Sequence, residues 1–407
     1  MKYRKIPIKN SLFIGLLLVV MAAFYLPVMN TMYYSHAKGE FVSHAQFADQ
    51  YLRNPASTLP YMKVHPLLMF SEAALIVAFR VNYLLAGLIV MMLAYLTLAW
   101  IIYNEVVKRM RVLSKQPEIW SAAIAAALMI VAQIPIFMGV DRQIYFGYIG
   151  INAYNNATMN YLKPFALASF LFTLKVFADL QPDWKETVIS ALLIVLSSLV
   201  KPNYVICVLP GLGLMAVYKL WKHEKLQWRF MILGVMAPAV ITLVWQYTAN
   251  YGSGAGGIFL APLQVKYFYS DALILKFFFS ILFPFLATRI YIRQAVKDDK
   301  MRLAWLCFII GAFYAYFLTE NSAGATTNGN FDWSAEVTLF ILFIAATLFW
   351  MEQLAGKKKG EKRDAALAFT FGAHVISGIL FYLFAMSIDN YSEVASFSRI
   401  FDVFFRK

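Results

Sequence analysis

Apolar residues fall along this chain in long runs, and polar residues are confined to the segments between them. The runs cover 11–29, 82–103, 119–139, 163–180, 186–200, 203–220, 230–248, 271–291, 303–319, 335–353 and 366–387. About 20 apolar residues in a helix match the hydrocarbon thickness of a bilayer. The runs are continuous rather than alternating, which favours membrane helices over membrane strands. The pattern predicts an all-α polytopic protein with about eleven transmembrane helices, forming one domain over residues 1–407.

Composition agrees. Hydrophobic residues make up 61% and charged residues 14%, against about 25% charged in a soluble domain. The net charge of +14 does not imply a nucleic-acid partner, because most of the basic residues sit in short clusters between apolar runs. Such clusters are Lys2/Arg4/Lys5/Lys9, Lys108/Arg109/Arg111/Lys115, Lys219/Lys222/Lys225/Arg229 and Lys357/Lys358/Lys359. Placing them inside orients the chain with its N-terminus cytoplasmic and its C-terminus outside. The run after Lys9 reads as an uncleaved signal anchor. Cys207 and Cys307 lie within apolar runs and form neither a disulfide framework nor a zinc pattern.

With this orientation the long, weakly basic loops 30–81, 140–162, 249–270 and 320–334 all face out, as does the tail 388–407. Within the first loop, the polar stretch Gly39–Pro66 holds Glu40, His44, Asp49 and His65, with His36 just before it and Glu72 just beyond. Ser43–Leu52 carries His44, Phe47, Ala48 and Tyr51 on one helical face, and Pro66 suits the start of a second juxtamembrane helix. Loop 140–162 contains Asp141 and Arg142, then Asn152, Asn155, Asn156, Thr158 and Asn160, groups suited to sugar hydroxyls or to ordinary turns. Lys201, before Pro202, either snorkels to head groups or neutralises a lipid phosphate. The glycine-rich GSGAGGIF lacks the GKS/GKT ending of a nucleotide phosphate loop and reads as a flexible or lipid-facing loop. Loop 320–334 gathers Glu320, Asn330, Asp332 and Trp333.

These stretches, in this order along most of the chain, resemble the bacterial multi-spanning glycosyltransferases of the GT-C fold. Their pattern of an acid followed four positions later by histidine, then a His-Pro-Leu element, matches Glu40…His44 and His65-Pro66-Leu67. An Asn-Thr element with a basic-Pro-Phe matches Asn155-Asn156-Ala157-Thr158 and Lys163-Pro164-Phe165, and later elements match Lys201-Pro202 and Gly329–Trp333. Glutamate stands here where the pattern has aspartate, and the Asn-Thr element lacks its histidine and proline. The resemblance implies an inverting transferase in a bacterial cell membrane, using a polyprenyl-phosphate-linked sugar. Its acceptor would be a glycan, lipid or protein of the cell envelope, and its place the synthesis of envelope polysaccharide.

In that chemistry a carboxylate takes the acceptor's proton while the lipid phosphate departs toward positive charge. Glu40 is the expected base, with Asp49 second and His44 orienting it. His65, Arg142, Asn155, Asn156, Lys163, Lys201, Glu320, Asn330, Asp332 and Trp333 are expected to bind substrate. Glu40, Asp49 and His44 are also candidate ligands for a divalent cation, magnesium or manganese, although no spacing demands it. Three alternatives remain: a transporter or flippase of lipid-linked sugars, a glycan polymerase or ligase, and an inactive scaffold of the same fold. Transport paths need charges at mid-span. Here the apolar centres are nearly free of charge and polar groups collect at one face; the exceptions, Lys276 in the eighth run and His374 in the last, fall in the outer or inner thirds of their spans.

Overall fold

The computed structural model describes residues 8–35, 39–62, 65–136, 144–252, 257–270, 272–321, 329–356 and 362–387. Of the described residues 81% are helical. Helix α1 (Ile8–Asn30) runs into a π-helical turn, Thr31–Ser35. Three short helices follow: α2 (Glu40–Arg53), α3 (Pro55–Met62) and α4 (Pro66–Phe79). Then come α5 (Tyr83–Leu113), α6 (Pro117–Ile130), α7 (Ala157–Thr173), α8 (Trp184–Val200) and α9 (Val205–Trp221). A π-helical segment, Phe230–Met236, leads into α10 (Ala237–Tyr251). After strand β1 (Gly257–Leu260) come α11 (Gln264–Tyr269), α12 (Leu273–Ile290), α13 (Ile292–Ala295) and α14 (Asp299–Phe317). Strand β2 (Leu318–Asn321), α15 (Asp332–Ala355) and α16 (Lys362–Ser387) are the last elements among the described residues.

Among the described residues, seven helical stretches are long and apolar enough to cross a membrane: Ser11–Ser35, Tyr83–Leu113, Phe230–Tyr251, Leu273–Ile290, Asp299–Phe317, Asp332–Ala355 and Lys362–Met386. This is a multi-pass membrane protein. The other four expected spans fold as α6 with 14 residues and α7, α8 and α9 with 17 each, shorter than the roughly 20 that cross unaided. Helix α15 is the core. It is apolar all round and buried on nearly every side, as expected of a helix enclosed by others.

Helix α6 stops at Ile130, and 131–136 forms neither helix nor strand. Pro135 disfavours helix at the residue before it. Unpaired backbone is costly in an apolar interior, and here neighbours satisfy it. The Ala132 amide donates to the His374 carbonyl at 3.1 Å, and the Ile134 amide to that of Phe279 at 3.2 Å. His374 Nδ1 faces the Ala132 carbonyl at 2.7 Å, and the Lys276 ammonium donates to the Phe146 carbonyl at 2.7 Å. The two polar residues that interrupted the apolar runs thus support irregular backbone. The described part of the expected outer loop 140–162 is a buried segment, with Ile149, Ile151 and Tyr154 inside the core.

Pro66 occupies the first turn of α4, as expected. The buried face of α2 is Phe41, Val42, Ala45 and Ala48 rather than the face through His44. Phe47 and Tyr51 instead pack beside Ala48 on Met69 and Ala73. Inside the expected loops 249–270 and 320–334, β1 and β2 pair antiparallel, Ile258 opposite Glu320. Glycine-rich flanks concealed this ladder from the pattern of polar and apolar positions.

The bundle has two polar ends. At one, Glu352 accepts from Arg109 at 2.7 Å and Lys300 at 2.9 Å, and Asp299 accepts from Lys219 at 2.9 Å. At the other lie α2, the α8–α9 break, the β ladder and the start of α15.

Candidate functional site

Lys201 follows the last residue of α8 in an extended conformation, φ −166° and ψ 128°, which the following Pro202 requires. The break turns its side chain inward, where it is only 6% exposed. Its ammonium donates to Thr158 Oγ1 at 3.0 Å and lies 5.3 Å from the centre of the Trp333 ring. Burial pulls the lysine pKa below its ordinary value, with Glu40, Glu320 and Glu336 opposing the shift. A lysine snorkelling to head groups would instead be exposed.

Thr158 Oγ1 donates to Asn156 Oδ1 at 3.0 Å, and Asn156 Nδ2 donates to Glu40 Oε2 at 2.9 Å. Asn156 also caps α7, accepting from the Met159 amide at 2.7 Å. A buried cap of this kind fixes the amide's orientation. Three hydrogen bonds of one direction therefore join the Lys201 ammonium to the Glu40 carboxylate. Glu40 stands in the first turn of α2, where helix dipole and charge agree, and its side chain is 35% exposed. His44, one turn on, brings Nε2 to 3.4 Å of the other carboxylate oxygen. The relay links α2, the start of α7 and the α8–α9 break.

Lys201 opens into a cavity of about 510 Å³. His65, Asn203, Glu320 and Asn330 line its polar side, and Ile206, Leu243, Val244 and Tyr247 its apolar side, between α9 and α10. Val244 and Tyr247 are exposed on the outer surface of the bundle, so the apolar wall reaches the surface a bilayer would cover. Glu320, carried by β2, accepts from Tyr251 at 2.7 Å and from Asn330 at 2.6 Å. Asn203 ties the break to α15, donating to the Asn330 carbonyl and to Ser334 Oγ, both at 2.8 Å.

A second, smaller cavity of about 160 Å³ lies beyond Trp333, lined by Tyr145, Asn155, Lys266, Asp332 and Glu336 among others. The segment 329–333 is the partition: Asn330 and Phe331 face the large cavity, Gly329, Asp332 and Trp333 the small one. Lys266 pairs with Asp332 at 2.9 Å. Burial opposes charge on Lys266, but Asp332, with Tyr316 and Glu336, holds its pKa above the ordinary lysine value.

Of the expected site residues, the structure brings His65, Lys201, Glu320 and Asn330 to the large cavity, and Asn155, Asp332 and Trp333 to the small one. Glu40, His44 and Asn156 join through the relay. Asp49 stands apart, paired with the exposed Arg53 at 2.9 Å. Lys163 is not among the residues lining either cavity. It is 1% exposed, donating to Asn152 at 2.7 Å and lying over Phe340. Asn152 in turn holds the carbonyls of Met129 and Val131, so these two side chains brace the buried segment. Arg142 and the tail 388–407 lie outside the described residues. Glu72 is buried beside the Tyr33 hydroxyl, away from both cavities.

Among the described residues, no three His, Cys, Asp or Glu side chains gather as ligands for a metal ion. With Asp49 held by Arg53, the Glu40/His44/Asp49 set does not converge. Sequence reasoning did not single out Lys266, Glu336 or Tyr145. The available signal was Glu336 itself, one turn after Asp332 on one face of an otherwise apolar helix. No protein-family model and no curated protein matches this chain.

Proposed function

We propose that this protein is a membrane glycosyltransferase that moves a sugar from a polyprenyl-phosphate carrier to a cell-envelope acceptor. The observation that carries this reading is the relay from Lys201 to Glu40 at the edge of a cavity with one polar and one apolar wall. A lipid-linked phosphosugar needs both walls: cationic for the phosphate, hydrocarbon for the chain. Glu40 takes the proton of the acceptor hydroxyl as its oxygen bonds to the anomeric carbon. The bond from that carbon to the phosphate oxygen breaks on the opposite face, and the lipid phosphate leaves with the electron pair beside Lys201. The sugar carbon is inverted. Positive charge held ready where negative charge develops is the largest lever such a site has. His44 orients Glu40; Asn156 and Thr158 fix both charged groups relative to each other.

In this reading the shorter helices α6 to α9 complete eleven spans. The relay end faces outward in a bacterial plasma membrane, with the N-terminus in the cytoplasm. The ionic network of Arg109, Lys300 and Glu352 would then be cytoplasmic, in keeping with the bias of basic residues. The resemblance of Glu40…His44, His65-Pro66-Leu67 and Gly329–Trp333 to GT-C transferases supports the same assignment. The test is binding of polyprenyl phosphate to purified protein: Lys201→Met should weaken it at least tenfold, and unchanged binding would remove the phosphate role. The irregular segment 131–136 favours a second reading, a transporter of lipid-linked sugars, since broken helices mark transport sites. Its groups are taken up by α12, α16 and the buried segment 144–152, however, and none of its residues lines either cavity.

A further inference from the structure

The small cavity contains chemistry that the relay does not use. Its one cation is already engaged: Lys266 pairs with Asp332 and also donates to the Tyr148 carbonyl at 3.3 Å. The remaining capacity is for accepting hydrogen bonds. Asn155 Oδ1 is buried with no hydrogen-bond partner. Glu336, 5% exposed, accepts from the Tyr145 hydroxyl at 3.2 Å, and a carboxylate offers about four lone-pair sites. Buried polar atoms are rarely left unsatisfied without reason. A space that presents surplus acceptors calls for a ligand that presents donors. With its cation neutralised, it is poorly suited to a phosphate.

Shape narrows the ligand. A volume of about 160 Å³ corresponds to on the order of five waters, the scale of one small polar molecule. The Trp333 indole forms one wall, and the same residue holds the Lys201 ammonium over its ring. A flat apolar ring together with hydrogen-bond acceptors in one small cavity suits a ring with hydroxyls at its edge and C–H groups on its face. Gly150 keeps one Glu336 oxygen uncovered: a side chain there would place its first carbon 2.9 Å from Glu336 Oε1.

We infer that this cavity seats one neutral glycosyl residue, its hydroxyls donating to Glu336 and Asn155 and its face against Trp333. The inference rests on the proposed transferase reading and adds a division of labour across the 329–333 partition, with lipid phosphate on the Lys201 side and sugar on the Glu336 side. That sugar belongs either to the donor or to the end of the acceptor, and the chemistry of the seat is the same.

The test is equilibrium binding of free hexoses, their 2-amino counterparts and sugar-free polyprenyl phosphate to the purified full-length protein. At least one neutral hexose should bind saturably. Glu336→Leu and Asn155→Leu should each weaken it at least tenfold while polyprenyl phosphate binding changes less than twofold, which also reports an intact fold. Should Glu336→Leu lose the lipid phosphate as well, the near-isosteric Glu336→Gln takes its place with the same expectation. Displacement of the hexose by the sugar-bearing lipid supports a seat for the donor sugar, and simultaneous binding supports an acceptor seat. Absence of hexose binding, or equal binding by the variants, overturns the inference while leaving the transferase reading intact if polyprenyl phosphate still binds. Binding of the amino sugars alone overturns it in favour of an ammonium site. Failure of both hexoses and polyprenyl phosphate to bind overturns the inference together with the reading beneath it.

Discussion

Replacing Thr158 by valine deletes one hydroxyl and keeps the shape of the side chain. That hydroxyl accepts from the Lys201 ammonium and donates to Asn156, both at 3.0 Å, and the residue is 1% exposed. Water cannot take its place without rearrangement. A hydrogen bond to a charged group contributes about 1.5–3 kcal/mol. If the bond serves to hold Lys201 where the phosphate departs, its loss raises the barrier by that amount. At about 1.4 kcal/mol per factor of ten, kcat/KM should fall roughly 10- to 150-fold. The assay is transfer of radiolabelled sugar from a polyprenyl-phosphate donor in proteoliposomes at subsaturating donor. Thr158→Ser, which restores the hydroxyl, should return activity to within about threefold. Parental activity in a folded Thr158→Val protein would refute the positioning argument, because the relay would then be a by-product of packing.

Other expectations follow from the same contacts. The depressed pKa of Lys201 gives opposite trends for binding and stability. Between its folded value and the ordinary lysine value of 10.5, the folded protein binds fewer protons than the unfolded chain. Its contribution to stability therefore rises with pH, while polyprenyl phosphate affinity declines as the ammonium is lost. Lys201→Arg should abolish that decline; a titration identical to the parent's would assign it to another group. Asp332→Asn leaves Lys266 charged and buried, and should cost roughly 3–5 kcal/mol in unfolding experiments, with Asp332→Asn/Lys266→Met recovering most of it. A double variant no better than the single would show that the ion pair is not the cause. Gly147→Ala meets Ser270 Cβ at 2.6 Å with φ at +85°, so it should destabilise by more than the ~1–2 kcal/mol of the left-handed conformation alone. A measured loss under 1 kcal/mol would contradict that geometry.

The helices were legible because bilayer thickness dictates the length of an apolar run, and each of the eleven runs became helix over most of its length. What the runs could not reveal was where a helix stops short. Residues 131–136 are largely apolar, yet Pro135 disfavours helix before it and the Ala132 amide bonds to the His374 carbonyl, so they leave the helix. The same buried segment explains why the asparagines were only partly readable. Asn152, Asn156 and Asn160 recur every four residues yet differ in role: Asn152 and Asn160 brace carbonyls, whereas Asn156 clamps Glu40. Composition does not distinguish an amide that binds a ligand from one that binds backbone. The partners of Lys201 are distant in sequence, and only folding placed Thr158 against it. Glu336 escaped notice because one carboxylate within an apolar run looks like an interruption rather than a site. Its spacing from Asp332 was the overlooked signal.

The central claim is that Glu40 removes the acceptor's proton beside a phosphate held by Lys201. The most direct measurement is single-turnover sugar transfer by Glu40→Gln, with bound polyprenyl-phosphate donor quantified in the same preparation. The account predicts donor binding within twofold of the parent and a transfer rate lower by at least about a hundredfold, the usual contribution of a positioned base. Transfer at the parental rate by a Glu40→Gln protein with normal donor binding would contradict it.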